Sequence, residues 1–191
     1  VECSDKNLVE FSIMGSELYK AIYNKDDVIA GLLNIGSEEI KGNEQIKNAH
    51  IKLEESKNLN FNYRGYVEGN EIKNGEVHVI VTDGFTGNIA LKTAEGTANF
   101  ITTEIKQSFS KSFFSKIGYI FSYFAFKEIK KKLDPRRYNG AIFLGLNAPV
   151  IKSHGGADAY AFYNSLDLSF RILNGSLINK IKKNFINNNV K

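Results

Sequence analysis

Cysteine is almost absent from this chain of 191 residues: Cys3 is the only one, so no internal disulfide can form and a Cys-x-x-Cys metal site is excluded. That pattern fits a reducing compartment. Histidine is scarce too, with three scattered copies, which argues against a transition-metal site. No apolar run reaches the ~20 residues of a membrane-spanning helix. The longest, Ile117 to Phe126, is interrupted by glycine and serine. A basic segment followed by an apolar one, the mark of a secretory leader, is missing from VECSDKNLVE. Neither G-x-G-x-x-G nor G-x-x-x-x-G-K-[ST] occurs, which disfavours a nicotinamide or P-loop nucleotide enzyme. The chain opens on Val1 rather than Met, from which a missing N-terminal part is expected.

What is present is ordinary for a soluble globular protein, with 42% hydrophobic and 24% charged residues. The length suits one domain, 1–191, and no repeat or linker divides it. A net charge of +4 favours an acidic partner or a lipid surface without requiring either. Spacing predicts a helix over 7–23, with Leu8, Phe11, Leu18 and Ile22 on one side. The apolar run 28–35 predicts a strand covered on both faces. A helix capped by Ser37 should follow, with Glu38 and Glu39 serving its dipole, and end near Ser56. Further strands are expected over 61–67, 77–82 and 141–146, with helices over 88–109 and from the last corner to the end. Asn187 to Asn189 read as a frayed tail. Strands alternating with helices predict an α/β fold with a mostly parallel sheet.

Three glycine-bearing corners join these elements: Asn34-Ile-Gly36-Ser-Glu-Glu39, Asp83-Gly84-Phe-Thr86-Gly87-Asn88 and Lys152-Ser153-His154-Gly155-Gly-Ala-Asp158. In a parallel sheet such corners lie beyond the carboxyl ends of the strands, where ligands bind. A helix N-terminus with free N–H groups favours an anion there. Thr86, Asn88 and Ser153 add side-chain hydrogen bonds, and Lys92 or Lys152 would neutralise phosphate. Each corner is equally readable as routine turn chemistry. Asp83 reads first as an Asx-turn or N-cap carboxylate, and otherwise as a group orienting substrate. Glu95 falls two turns beyond Asn88 on the same helical face. His154 is either a proton-transfer or oxyanion group, or a histidine that caps its loop. His50 and His78 read as structural.

GLLNIGSEEIKGNE, VTDGFTGNIALKTAEG and LGLNAPVIKSHGGADAYAF, together with the opening VECSDKNLVEFSIMGS, resemble the motifs of the bacterial phosphate acyltransferase (PlsX) family. The resemblance covers nearly the whole chain and is weakest in the aromatic-basic section and the tail. It implies a three-layer α/β/α sandwich related to isocitrate dehydrogenase and phosphotransacetylase. It also implies reversible transfer of a long-chain acyl group from acyl carrier protein to inorganic phosphate, without metal or organic cofactor. The product, acyl phosphate, would feed the glycerol-3-phosphate acyltransferase of phospholipid synthesis. A cytoplasmic homodimer resting on the inner membrane face is implied. Family members are much longer, so an N-terminal half with its own glycine-rich motif is expected to be absent here. That leaves an inactive or partner-dependent fragment, binding only membrane or protein, as the alternative. On the family reading, Asn34, Gly36, Gly84, Thr86, Gly87, Asn88, Lys152, Ser153, Gly155 and Asp158 line the phosphate site. Lys92, Asp83 and His154 are then the catalytic candidates.

Residues 110–137 differ in kind. Phe113, Ile117, Ile120, Phe121 and Phe124 recur at helical spacing, with Phe114, Tyr119, Tyr123 and Phe126 widening the apolar surface. Lys111, Lys116, Lys127, Lys130, Lys131, Lys132, Arg136 and Arg137 flank them, and Asp134-Pro135 ends the section. Phe113, Ile117, Phe121 and Phe124 are the expected membrane contacts, with lysines meeting anionic headgroups. The same cluster would suit the acidic acyl carrier protein, a core helix with a solvated end, or a dimer-forming helix pair. No nucleic-acid motif accompanies the charge.

Overall fold

The computed structural model describes residues 2–187. Helix α1 spans Asp5–Tyr23 and starts from a reciprocal cap: the Asn7 amide donates to Ser4 Oγ, and the Ser4 amide donates to Asn7 Oδ1. It stops at Asn24, which takes a left-handed conformation with φ 51°. Strand β1 (Ile29–Asn34) lies between β2 (Asn62–Glu68) and β3 (Val79–Val81), parallel to both. Helix α2 (Glu44–Glu55) connects β1 to β2, as parallel pairing requires. The result is an α/β sandwich with a mostly parallel sheet, as the alternation of elements implies.

Helix α1 is the shared wall of two cores. Toward the sheet, Leu8, Val9 and Ile13 join Ala30 and Leu32 of β1, Ala49 and Leu53 of α2, and Val81 of β3. On its other side Met14 meets Ile172, Leu177 and Ile181, which belong to α5 (Ala159–Asn174) and α6 (Leu177–Asn187). Glu17, 3% exposed, fastens this junction. It accepts from the side-chain amides of Asn60 and Asn184 at 2.6 and 3.0 Å, with the Lys20 ammonium 3.7 Å away.

Helices α3 (Gly84–Ser110) and α4 (Phe113–Lys132) form a hairpin whose two members pack chiefly on each other. Between them Phe109 sits edge-on to Phe126 at 5.0 Å, and Tyr119 stacks on Phe126 at 5.3 Å. Tyr119 and Phe126 therefore close the hairpin instead of widening its outer apolar surface.

Three sequence expectations are corrected. Ser37 caps nothing: residues 37–42 form an irregular turn clasped by a Glu38–Lys41 ion pair of 2.8 Å, and Asn43 caps α2 by accepting the Ile46 amide. Glu38 and Glu39 accordingly lie outside the helix they were expected to serve. The strand expected over 141–146 reduces to β4 (Ala141–Ile142), paired antiparallel with β5 (Ile151–Lys152) in a ribbon separate from the parallel sheet. The single final helix is two, broken at Gly175-Ser176, where Ser176 has φ 52°. Asn187 closes α6, and Asn188 and Asn189 lie outside the described residues.

Candidate functional site

The corner after β1 is a buried polar turn. Asn34 is buried, donates to the Lys41 carbonyl at 3.1 Å, and keeps an Oδ1 with no partner among the described residues. Gly42, with φ 94°, makes room for that oxygen, since a Cβ there would sit 2.5 Å from it. Gly36 lies beneath the Lys41 side chain.

The corner after β3 opens α3. Asp83 is its N-cap: Oδ1 accepts the amides of Phe85 and Thr86 at 2.9 and 2.8 Å, and Oδ2 accepts the Thr86 hydroxyl at 2.6 Å. Partial burial pushes the Asp83 carboxyl up. The hydroxyl and amide of Thr86 and the amide of Phe85 outweigh that and hold it below the ordinary carboxylate range. Two helix-start amides pictured as free for an anion are thus already satisfied by a carboxylate. Gly84 and Asn88 are exposed beside them, and Gly87 is close to Thr82, which a Cβ would approach to 2.7 Å. Lys92, one turn on, is exposed and pairs with Glu95 at 2.7 Å.

The corner after β5 is held by residues that sequence reasoning left out of the site. Asn139 donates through Nδ2 to Ser153 Oγ, the Ala161 carbonyl and Ser165 Oγ at 2.9, 2.9 and 2.8 Å, while its Oδ1 accepts the His154 amide at 3.1 Å. Asp158 caps α5 by accepting the Ala161 amide at 2.9 Å. Arg136 bridges Asp134 and Asp158 at 2.7 and 2.9 Å and lies over the Tyr160 ring. Its guanidinium, with the Arg136 amide, holds the Asp134 carboxyl down to about 2. The Ala161 amide, then Arg136, hold that of Asp158 low. The only sequence signal for Asn139 was its place before Gly140. That glycine, at φ 113°, lets the chain pass against α5, where a Cβ would meet Leu168 at 3.0 Å.

His154 itself is exposed, and its Nδ1 accepts the Gly156 amide at 3.1 Å. Gly155 is open, and Lys152 is exposed at the ribbon's end. His50 and His78 are structural, as read: His50 Nδ1 meets the Tyr63 hydroxyl at 2.8 Å, and His78 Nδ1 accepts the Ile29 amide at 2.9 Å. Among the described residues no hydrogen bond or ion pair links one corner to another.

A sequence model described as fatty acid synthesis protein matches residues 1–180, a span that holds all three corners and the hairpin. The chain belongs to the fatty acid synthesis protein family. Similar curated proteins are named phosphate acyltransferase, in keeping with the resemblance drawn from the three motifs. That of Pelagibacter ubique is 56% identical over 96% of this chain and 55% of its own length. Those of Paramagnetospirillum magneticum and Agrobacterium fabrum are each 46% identical, over 97% and 95% of this chain and 52% of their own lengths. The chain thus spans about half the length of the curated relatives it matches.

On this family member α4 presents one apolar face to solvent. Phe113, Phe121 and Phe124 are 73, 84 and 77% exposed, and Ile117 shares their side at 37%. The ring contacts of Tyr119 and Phe126 lie on the opposite side, toward α3. Among the described residues no helix is long and apolar enough to cross a membrane.

Proposed function

We infer that this chain contributes to a site that transfers a long-chain acyl group from acyl carrier protein to inorganic phosphate, yielding acyl phosphate for phospholipid synthesis. The observation that carries this reading is the family match over residues 1–180, which takes in every corner that offers polar groups to an anion. The relatives from Pelagibacter ubique, Paramagnetospirillum magneticum and Agrobacterium fabrum are named phosphate acyltransferase, which supports phosphate and an acyl donor as substrates. Thioester phosphorolysis needs phosphate held against the carbonyl carbon and donors for the tetrahedral oxyanion. Thr86, Gly87 and Asn88 are assigned to phosphate, Thr86 by turning its hydroxyl from Asp83 Oδ2 to the anion while its amide stays capped, with Lys92 or Lys152 supplying charge and Ser153, His154 and Gly155 facing the reacting carbon. Lys92 would exchange its pairing with Glu95 for phosphate. Asp83 and Asp158 serve by capping the helices that begin at their corners. Asn34, Gly36 and Gly84 shape the turns.

Location at the inner membrane surface, as a homodimer handing product to the glycerol-3-phosphate acyltransferase, belongs to the same proposal. The exposed aromatic face of α4 and its trailing lysines support it. Incubating acyl carrier protein thioester and phosphate with the purified chain, then trapping acyl phosphate as hydroxamate, tests the reaction. Hydroxamate is the expected outcome.

A second reading has its own support. The chain spans about half of its curated relatives, which favours activity only in the presence of a partner. A folded chain that gives no hydroxamate alone, and none with the remaining segment of a relative added, would leave only a binding role.

A further inference from the structure

We propose that His154 acts as a neutral hydrogen-bond donor through Nε2–H, and not as the base, and that Asn139 is its positioning residue; the inference rests on the acyl-to-phosphate reading above. Its ground is which ring nitrogen is already engaged. The Gly156 amide donates to His154 Nδ1 at 3.1 Å. A backbone amide can only donate, so the direction of this bond is fixed, and the proton of the neutral ring sits on Nε2. Nε2 makes no hydrogen bond among the described residues, and the side chain is exposed. To act as base, Nε2 would need the lone pair and Nδ1 the proton. Two N–H groups would then face each other, and the Gly156 bond would be lost.

The orientation of Asn139 is fixed by the same logic. Its Oδ1 must face the His154 amide, because that amide cannot accept. Its Nδ2 then reaches Ser153 on one side and Ala161 and buried Ser165 of α5 on the other. The histidine corner is thereby tied to a helix instead of swinging with its loop.

The chemistry asks for a donor. An oxygen of hydrogen phosphate forms a bond to the thioester carbon, the carbonyl electrons move onto oxygen, and the oxyanion then re-forms the carbonyl as the C–S bond breaks. The proton of hydrogen phosphate ends on the departing sulfur, so the equation balances with no base from the protein. A fixed N–H beside phosphate or the oxyanion is the contribution left for His154.

The test uses the full chain labelled with 15N-histidine and reads ring tautomers by two-bond proton–nitrogen correlation. His154 is expected to show protonated Nε2 and bare Nδ1 at neutral pH, and added inorganic phosphate is expected to shift Nε2. Protonated Nδ1 would overturn the proposal whatever becomes of the functional reading. Phosphate shifts at the Thr86 and Asn88 amides with none at Nε2 would overturn it alone, and silence at all three would overturn both. Asn139→Ala is expected to mix the tautomers of His154; a folded variant with a single unchanged Nε2–H pattern would remove Asn139 from the account. If that variant unfolds, Ser153→Ala is read instead, and its His154 amide should exchange faster than in the parent chain; an unchanged rate would count against the positioning role. His154→Gln keeps an N–H and should retain turnover that His154→Ala loses by roughly 10²–10³-fold wherever hydroxamate forms.

Discussion

Asp83 places a negative charge where the proposed function puts phosphate, and that conflict bears on what the residue does. Its oxygens are turned onto the amides of Phe85 and Thr86 and the Thr86 hydroxyl, so it orders the turn, and on the proposed function its charge opposes phosphate. Asp83→Asn keeps an acceptor for the amides and removes the charge. Phosphate binding should tighten by roughly fivefold, the equivalent of about 1 kcal/mol for one charge near water. Asp83→Ala should cost the start of α3 about 1 kcal/mol and speed exchange of the Phe85 and Thr86 amides. A phosphate titration in which Asp83→Asn binds nothing would sink the capping account. Asp134 and Asp158 give a second residue-scale expectation. Both carboxyls lie below the ordinary value of 3.8, so the fastening they provide is complete above it and is lost as pH falls through their lowered values, about 2 for Asp134. Exchange of the Ala161 amide should accelerate as pH falls below 3.8 and Asp158 takes up its proton, and Arg136→Met should flatten the Arg136-dependent part. An amide that exchanges equally fast at both ends of the window would disprove the link. The capping reading of Asp83 was legible because Asp-Gly-x-Thr at a helix start has few other uses. The roles of Asn139 and Arg136 were not, because Ser153, Ala161 and Ser165 for the one and Asp158 for the other lie far along the chain.

Elements differ in how much their own sequence decides. Strand β1 was visible because it is buried on both faces and reads as a continuous apolar run, whereas the short ribbon of β4 and β5 carries no such run. The start of α2 was misplaced because Ser37 and Asn43 are both good caps. The choice between them lies in the Glu38–Lys41 clasp and the left-handed Gly42, which no local preference reveals. Helix α4 was legible as amphipathic, but its partner was not. Only the packing of Phe109 against Tyr119 and Phe126 decides which side faces outward. That sidedness makes a prediction. Phe121→Glu with Phe124→Glu should abolish flotation with anionic liposomes while leaving helix content unchanged, since both rings are largely exposed and, among the described rings, Phe124 meets only its neighbour Tyr123 edge-on. Flotation equal to that of the parent chain would refute membrane docking by this face. Phe126→Glu should instead loosen the hairpin itself, seen as increased proteolysis between α3 and α4.

At the scale of the whole molecule, α1 holds two cores together while much apolar surface stays outside either. Ile13 is fully buried against the sheet, so Ile13→Ala should destabilise the chain by about 2–5 kcal/mol in urea unfolding. Outside those cores, Tyr163, Leu166, Phe170 and Leu173 form a stripe along α5 at 53–63% exposure, and among the described residues β3 pairs on one edge only. Open strand edges and apolar stripes of this kind favour association. Relatives carry about as much chain again as is matched here, a length of chain available to cover these surfaces. The chain alone should therefore self-associate at micromolar concentration in sedimentation velocity. Supplying the unmatched segment of the Pelagibacter ubique relative should convert that association into a defined complex, protect the α5 stripe from exchange, and raise hydroxamate formation above the level of the chain alone. Leu166→Glu with Phe170→Glu should block the complex if the stripe is the contact. A monodisperse monomer that neither binds the segment nor gains activity from it would show that the exposed stripe has no such role.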